Sequence, residues 1–261
     1  LTCKLRIHAA GDWRESEVRV SRAANSRRIV PEVEPIIDQT WSEMLLRPGV
    51  HLFDGPMCRY ESWGVRDGML HLSLSTTSYR IFAGTNLMRP DLADQYGPNV
   101  LANPVGVSAA LLSSDGYLMF GVRNHRVAYY PNRIHPFAGA VEPTDDLNLF
   151  GAVRRELAEE LSLTPAEVPE IRCTGIVEDI QLRQPELIFR ANATPSRAEI
   201  ESRMDTSEHH EVWSVRAEEQ SIEQAVQNPQ LTPVAVASLL LWGRLEFGSK
   251  WFDGWIGKTL S

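Results

Sequence analysis

Between Val105 and Ala193 the hydrophobic period of the chain switches from strand-like to helix-like and back, and this constrains the fold more than any other feature. VGVSAALL and YLMFGVR are two apolar runs around Ser114-Asp115-Gly116, the signal of a hairpin. RIHPFAGAV reads as a strand entering a glycine turn, LFGAVRRELAEELSL as a helix, and CTGIVEDI and PELIFRANA as two further strands. A short strand, EVWSV, precedes a strongly apolar closing helix, TPVAVASLLLWGRLEF, with Thr232 as its N-cap and Pro233 at its first position. Strands and helices alternate and the opening pair is antiparallel. The expected fold class is therefore α/β, a mixed sheet with helices packed on its faces.

Upstream the pattern is looser. EVEPIIDQTWSEMLL is a helical stretch, HLFDGPMCRYESWGV and DGMLHLSLSTTSYRIF are strand-like, and RPDLADQYG is a short helix or loop. Asn103-Pro104 marks a boundary, because proline biases the residue before it away from helix. The expected organisation is a smaller α+β N-terminal domain over residues 1–103, contributing to ligand binding, and a main domain over residues 104–261.

Charge and cysteine content exclude several functions. The net charge of −8 leaves no basic footprint for nucleic acid or an anionic membrane, so an anionic substrate would need a local device such as arginines or metal ions. Cys3, Cys58 and Cys173 show no zinc-binding spacing and read as packing residues in a reducing compartment. No apolar run approaches the roughly 18 residues of a membrane span, and LTCKLRIHAAGDW lacks the pattern of a signal peptide. A cytoplasmic location is expected. Nothing in the sequence marks an oligomeric state.

The stretch RELAEELSL, Arg155 to Leu163, carries the sharpest chemical signal. On a helix, Phe150, Val153, Leu157 and Leu161 form one apolar stripe, and Glu156, Glu159 and Glu160 cluster on the neighbouring face. Such like charges repel by a few tenths of a kcal/mol per pair in water. A divalent cation reverses that sign, and Mg2+ takes oxygen ligands while keeping waters and substrate phosphates in its shell. The alternative is a merely solvated acidic face.

With the glycine turn from Gly139 shortly before it, this stretch resembles the nudix box, the signature of hydrolases that cut nucleoside diphosphates linked to another group. The family pattern is Gly, five residues, Glu, seven residues, then Arg-Glu-apolar-x-Glu-Glu-x-Gly-apolar. RELAEELSL matches its second half except that Ser162 stands at the penultimate Gly. In the first half, Gly139 plus five residues reaches Asp145 rather than Glu, and nine residues separate Asp145 from Arg155. LFDGP at 52–56 and TSYRIFAGTN at 77–86, followed by NPVGVSAALL and the box, are similar to the UDP-glucose and UDP-galactose diphosphatase branch over roughly residues 50 to 190.

The resemblance implies a nudix α/β/α sandwich and Mg2+-dependent hydrolysis of UDP-sugars to UMP and sugar 1-phosphate, with Mn2+ as an alternative metal. Its implied partner is a small-molecule nucleotide sugar. Glu156 and Glu160 match the metal ligands, Glu159 is a further ligand or helper, and Glu186 matches another ligand position. Arg155 matches a residue that orients the box carboxylates. Phe53, Tyr79, Arg123, Ala128, His135, Ala140 and Glu142 match substrate-contact positions, with core packing as the competing reading for the two aromatics. The branch carries Asp where His135 stands and His where Ala140 stands, so an ADP-sugar or another nucleoside diphosphate derivative is an alternative substrate. A weakly catalytic regulatory module that binds nucleotide sugars is a third reading, motivated by Ser162 and the altered first half. The general base is open among the box and Glu178, Glu186 and Glu208. Glu208 with His209-His210 reads as a solvated loop, and Trp251, Phe252 and Trp255 as packing residues.

Overall fold

The computed structural model describes residues 4–46, 52–143 and 147–259; Cys3 and Asp145 lie outside them. In chain order the strands and helices are β1 (Leu5–Trp13), β2 (Val18–Arg22), α1 (Glu34–Leu45), β3 (Pro56–Arg66), β4 (Met69–Ser78), α2 (Tyr79–Phe82) and α3 (Leu92–Tyr96). There follow β5 (Gly106–Leu112), β6 (Tyr117–Arg123), β7 (Ile134–His135), β8 (Phe137–Ala140), α4 (Leu149–Leu161), β9 (Glu170–Asp179) and β10 (Gln184–Asn192). The chain continues with α5 (Arg197–Glu201), β11 (His209–Arg216), α6 (Glu219–Ala225), α7 (Pro233–Phe247) and α8 (Ser249–Thr259).

The main sheet runs β1-β9-β10-β5-β6-β11, with β7 added to β6 and β8 added to β5. It is mixed: β10 and β5 are parallel, and the other pairs are antiparallel. Gly116 takes a φ of 82° in the β5–β6 turn, a conformation that glycine adopts without steric cost. A separate three-stranded sheet runs β2-β4-β3.

Two helices hold the main sheet. Phe150, Val153, Leu157 and Leu161 of α4 are all buried, in one core with Val107, Leu187 and Phe189 of the sheet. Phe150 meets Phe189 edge-on, ring centroids 5.1 Å apart. Helix α7 buries residues 233–243 throughout, and the Thr232 Oγ1 at its start accepts the Ala235 N–H at 3.2 Å. Trp251 and Trp255 of α8 donate to Glu223 at 3.1 and 3.3 Å and, with Phe252, pack on the α7 core. Among the described residues no helix is long and apolar enough to cross a membrane.

Two local expectations need correction. RIHPFAGAV is not one strand: β7 and β8 pair with different neighbours, and Pro136 between them has no N–H to continue a ladder. The strand-like stretch DGMLHLSLSTTSYRIF is strand only to Ser78; the chain then turns into α2 and one π-helical turn, Ala83–Leu87. Gly84 lets this turn meet α1, since a Cβ there would stand 2.7 Å from Ile37 Cα. Strand β1 is the edge strand of the main sheet, although its residues precede the small sheet.

The two sheets are joined by backbone and side-chain hydrogen bonds. Cys58 N–H donates to the Val141 carbonyl at 2.7 Å, and Val105 N–H to the Cys58 carbonyl at 2.9 Å. Asn86, fully buried, donates to the Leu182 and Arg183 carbonyls at 3.0 Å each and accepts from Asn103 N–H at 3.0 Å. Cys58 and Cys173 are buried in the core.

Candidate active site

A cavity of about 360 Å3 opens where the two sheets meet. Met57, Tyr79 and Phe82 wall it from the small-sheet side, Gly106, Arg123, Gln184, Glu186 and Ala138 to Ala140 from the main sheet, and Asn124, Arg126 to Tyr129 and Ser207-Glu208 from two loops.

The acidic helix sets Glu156 and Glu160 against the Ala138 to Ala140 wall of this cavity, without lining it. A Cβ added to Gly139 would stand 2.1 Å from Glu156 Cδ, so the Glu156 carboxylate occupies the space over that glycine. Arg155 Nη2 donates to Glu156 Oε1 at 3.0 Å and to the Ala140 carbonyl at 3.3 Å. Burial raises the Glu156 carboxyl above the usual range; Arg155 opposes this, while Glu159 and Glu208 add to it. Glu160 is buried, and neither of its carboxylate oxygens has a hydrogen-bond partner. Its carboxyl is pushed well above the usual range, first by burial and then by Glu208 and Glu156. Glu159, one position before it, is exposed.

Glu208 is the acid that sequence reasoning misplaced. It is not on a merely solvated loop: it lines the cavity and faces Glu160. The cause is long-range backbone bonding. Asp205 N–H donates to the Glu160 carbonyl at 2.8 Å, and Asn124 N–H donates to the Glu208 carbonyl at 2.8 Å. Both bonds join segments far apart in the chain, so no spacing in the sequence announces them. His209, also read as solvated, is 1% exposed, its ring against Phe137 and over Gly121. Burial lowers its value to about 4, with Arg123 and His210 contributing.

Arg123 lies between two carboxylate groups, its charge acting on both Glu160 and Glu186. It is buried; its Nε donates to the Tyr129 carbonyl at 3.1 Å, and the guanidinium stacks 4.5 Å from the Tyr129 ring centroid. Glu186 is buried and accepts a hydrogen bond from Ser108 Oγ. Burial, reinforced by Asp179, raises its carboxyl to about 7. Asp179 is itself buried and accepts from Tyr130 Oη at 2.6 Å.

The remaining predicted residues divide. Tyr79, Ala128 and Ala140 line the cavity. Phe53 is 76% exposed, with its ring against Gly55, and Glu142 is exposed; neither lines the cavity. His135 is buried behind Tyr129, its Nδ1 2.8 Å from Thr232 Oγ1 at the start of α7. Of the candidates for the base, Glu186 and Glu208 line the cavity. Glu178 instead accepts from Arg6 at 2.8 Å, pairs with His8 at 3.1 Å and lines a separate cavity of about 160 Å3.

The donor set suits a hard divalent cation. Glu156 and Glu160 stand one helical turn apart, both have a raised carboxyl, and the Glu160 oxygens are unsatisfied within the protein. Glu208 adds a third carboxylate on the same side. Among the described residues no three such side chains are already gathered in ligating geometry.

No protein-family model matches the chain. Its sequence is similar to uridine diphosphate glucose pyrophosphatase NUDT22 of Bos taurus, 27% identical over 277 residues that cover 92% of this chain and 95% of that protein. The Homo sapiens protein of the same name is 27% identical over 260 residues, covering 85% and 86%. Among solved structures, the NUDIX domain of Shewanella oneidensis NrtR complexed with ADP ribose matches weakly. Its TM-score is 0.42 and its identity 16%, covering 61% of this chain and 99% of that one.

Proposed function

We propose that this chain, which has the nudix hydrolase fold and is distantly homologous to UDP-glucose pyrophosphatases, hydrolyses the diphosphate of UDP-sugars to UMP and a sugar 1-phosphate with Mg2+. The observation that carries the reading is the arrangement of one cavity. Glu208 and Arg123 line it and act electrostatically on Glu160, which with Glu156 packs behind the Ala138 to Ala140 wall, and Met57, Tyr79 and Phe82 give the same cavity an apolar and aromatic wall.

Mg2+ bound there would neutralise phosphate oxygens and lower the pKa of an attacking water. Glu156 and Glu160 would hold it, with Arg155 orienting Glu156. The Arg123 fork suits the oxygens of a diphosphate, and its stacking on Tyr129 holds the guanidinium plane in place. Glu208 is exposed at the cavity edge and suits the role of accepting a proton from water. Tyr79 offers an aromatic face to a planar base.

The test is direct. The protein is incubated with Mg2+ and, separately, UDP-glucose, UDP-galactose and ADP-glucose, and the nucleotides are resolved by chromatography. UMP from the UDP-sugars, exceeding AMP from ADP-glucose, is the expected result. Absence of UMP from every UDP-sugar removes the reading.

A further inference from the structure

Gln184 is a polar side chain of the cavity to which the proposed chemistry gives no task. It is 8% exposed, it lines the cavity, and among the described residues its amide makes no hydrogen bond. Its amide is not sealed from solvent but opens on the cavity, so its donor and acceptor are free to pair with whatever occupies that space.

Its position is built. Gln184 opens β10, paired with Asp179 across the β9–β10 hairpin. Asp179 closes that turn by accepting from Gln181 N–H at 2.8 Å and Leu182 N–H at 3.3 Å, and Tyr130 Oη donates to its other oxygen at 2.6 Å. From the other side, Asn86 grips the Leu182 and Arg183 carbonyls. Asn86 follows Phe82 by one helical turn, so the same clamp brings Gln184 beside the wall of Met57, Tyr79 and Phe82. Two residues along the strand, and therefore on the same face, Glu186 lies within the field of Arg123. The strand thus presents a neutral amide near the aromatic wall and a carboxyl toward the phosphate-binding arginine.

An amide offers one acceptor and a pair of donors side by side. The complementary ligand edge is a ring N–H next to a ring carbonyl, the edge a uracil presents. We propose that Gln184 reads the nucleobase: its carbonyl accepts the ring N–H and its NH2 donates to the adjacent ring carbonyl. This rests on the nucleotide-sugar reading above and adds the residue that sets base specificity.

The test measures binding apart from turnover. UMP and ribose 5-phosphate, which lacks the base, are titrated calorimetrically in magnesium buffer into the wild-type chain, Gln184→Met and Gln184→Glu. Methionine keeps the length and removes the hydrogen-bonding edge; glutamate keeps an acceptor and removes the donor. The expected result is UMP binding weakened about 10- to 100-fold in Gln184→Met, ribose 5-phosphate unchanged, and KM for UDP-glucose raised by the same factor with kcat within about twofold. Gln184→Glu weakens UMP more than CMP, whose exocyclic amine still donates to a carboxylate. Equal weakening of UMP and ribose 5-phosphate, unchanged UMP affinity in both variants, or no UMP binding by the wild type overturns the proposal. The two readings fail separately. Turnover of UDP-glucose with an unaltered KM in both variants removes only the role of Gln184. Selective loss of UMP in a chain that hydrolyses no UDP-sugar removes only the hydrolase.

Discussion

The Glu156 carboxylate fills the space where Gly139 has no side chain: a Cβ there would stand 2.1 Å from Glu156 Cδ. Gly139 has an ordinary negative φ, so its role is room rather than backbone freedom. Gly139→Ala therefore displaces the Glu156 carboxylate without straining the chain. The expected outcome is a fall in kcat/KM of about 100-fold or more, with the melting temperature within a few degrees of wild type. Near-normal activity would mean that Glu156 does no chemistry.

Glu160→Gln separates chemistry from stability. The glutamate is buried with both oxygens unpartnered, and its carboxyl is raised by burial, Glu208 and Glu156. Removing the charge should cost two orders of magnitude or more in turnover. Without metal the variant should melt at least as high as wild type, because a neutral amide has no charged form to desolvate in a buried site. The wild type should gain about 2.7 kcal/mol when Mg2+ is at 100 times its dissociation constant, and the variant far less. Calorimetric melts with EDTA and with Mg2+ read both effects.

Glu186 gives the metal-free protein a pH dependence of definite sign. Burial raises its carboxyl from an ordinary 4.5 to about 7, so folding favours the protonated form. Its contribution is complete below about pH 4.5 and is lost as pH rises through 7. The loss amounts to about 3 kcal/mol. Glu186→Gln can still accept from Ser108 Oγ, so it should abolish this decline. Urea unfolding of both proteins in EDTA between pH 5 and 8 measures the difference; parallel curves would refute the assignment.

Ser162 ends α4 at φ 53°, ψ 32°, in the left-handed region. A glycine avoids the steric cost a Cβ meets there, and the Ser162 Oγ contact with the Arg203 carbonyl is long, at 3.5 Å. Ser162→Gly should stabilise the chain by about 0.5–1 kcal/mol, offset in part by the greater entropy of unfolded glycine. A lower melting temperature would show that the serine contact matters more than the backbone.

What the sequence made legible was local. The α4 stripe of Phe150, Val153, Leu157 and Leu161 follows from a 3.6-residue period, and the β5–β6 turn from Ser114-Asp115-Gly116. Thr232 and Pro233 mark the start of α7 for equally local reasons. What escaped depends on contacts between distant segments. Glu208 reaches the cavity through the backbone bonds of Asp205 to Glu160 and of Asn124 to Glu208. Residues 79–82 belong by sequence to the strand-like stretch, yet residues 79–87 are helical, and α1 packs closely over Gly84. Gln184 carries no spacing signal, since an isolated glutamine at the start of a strand is ordinary.

The edge strand β1 has a consequence for how the chain is made. Leu5 pairs with Asp179 and Trp13 with Cys173, so a segment translated early must stay unpaired until most of the molecule has left the ribosome. The following strand, β2, waits only for residues 70–74. A nascent chain should therefore assemble the small sheet while β1 still trails free, and long-range pairing of this kind closes slowly. Closure of the main sheet at its outer border would then be the later of the two pairings, following the small sheet in the order of synthesis.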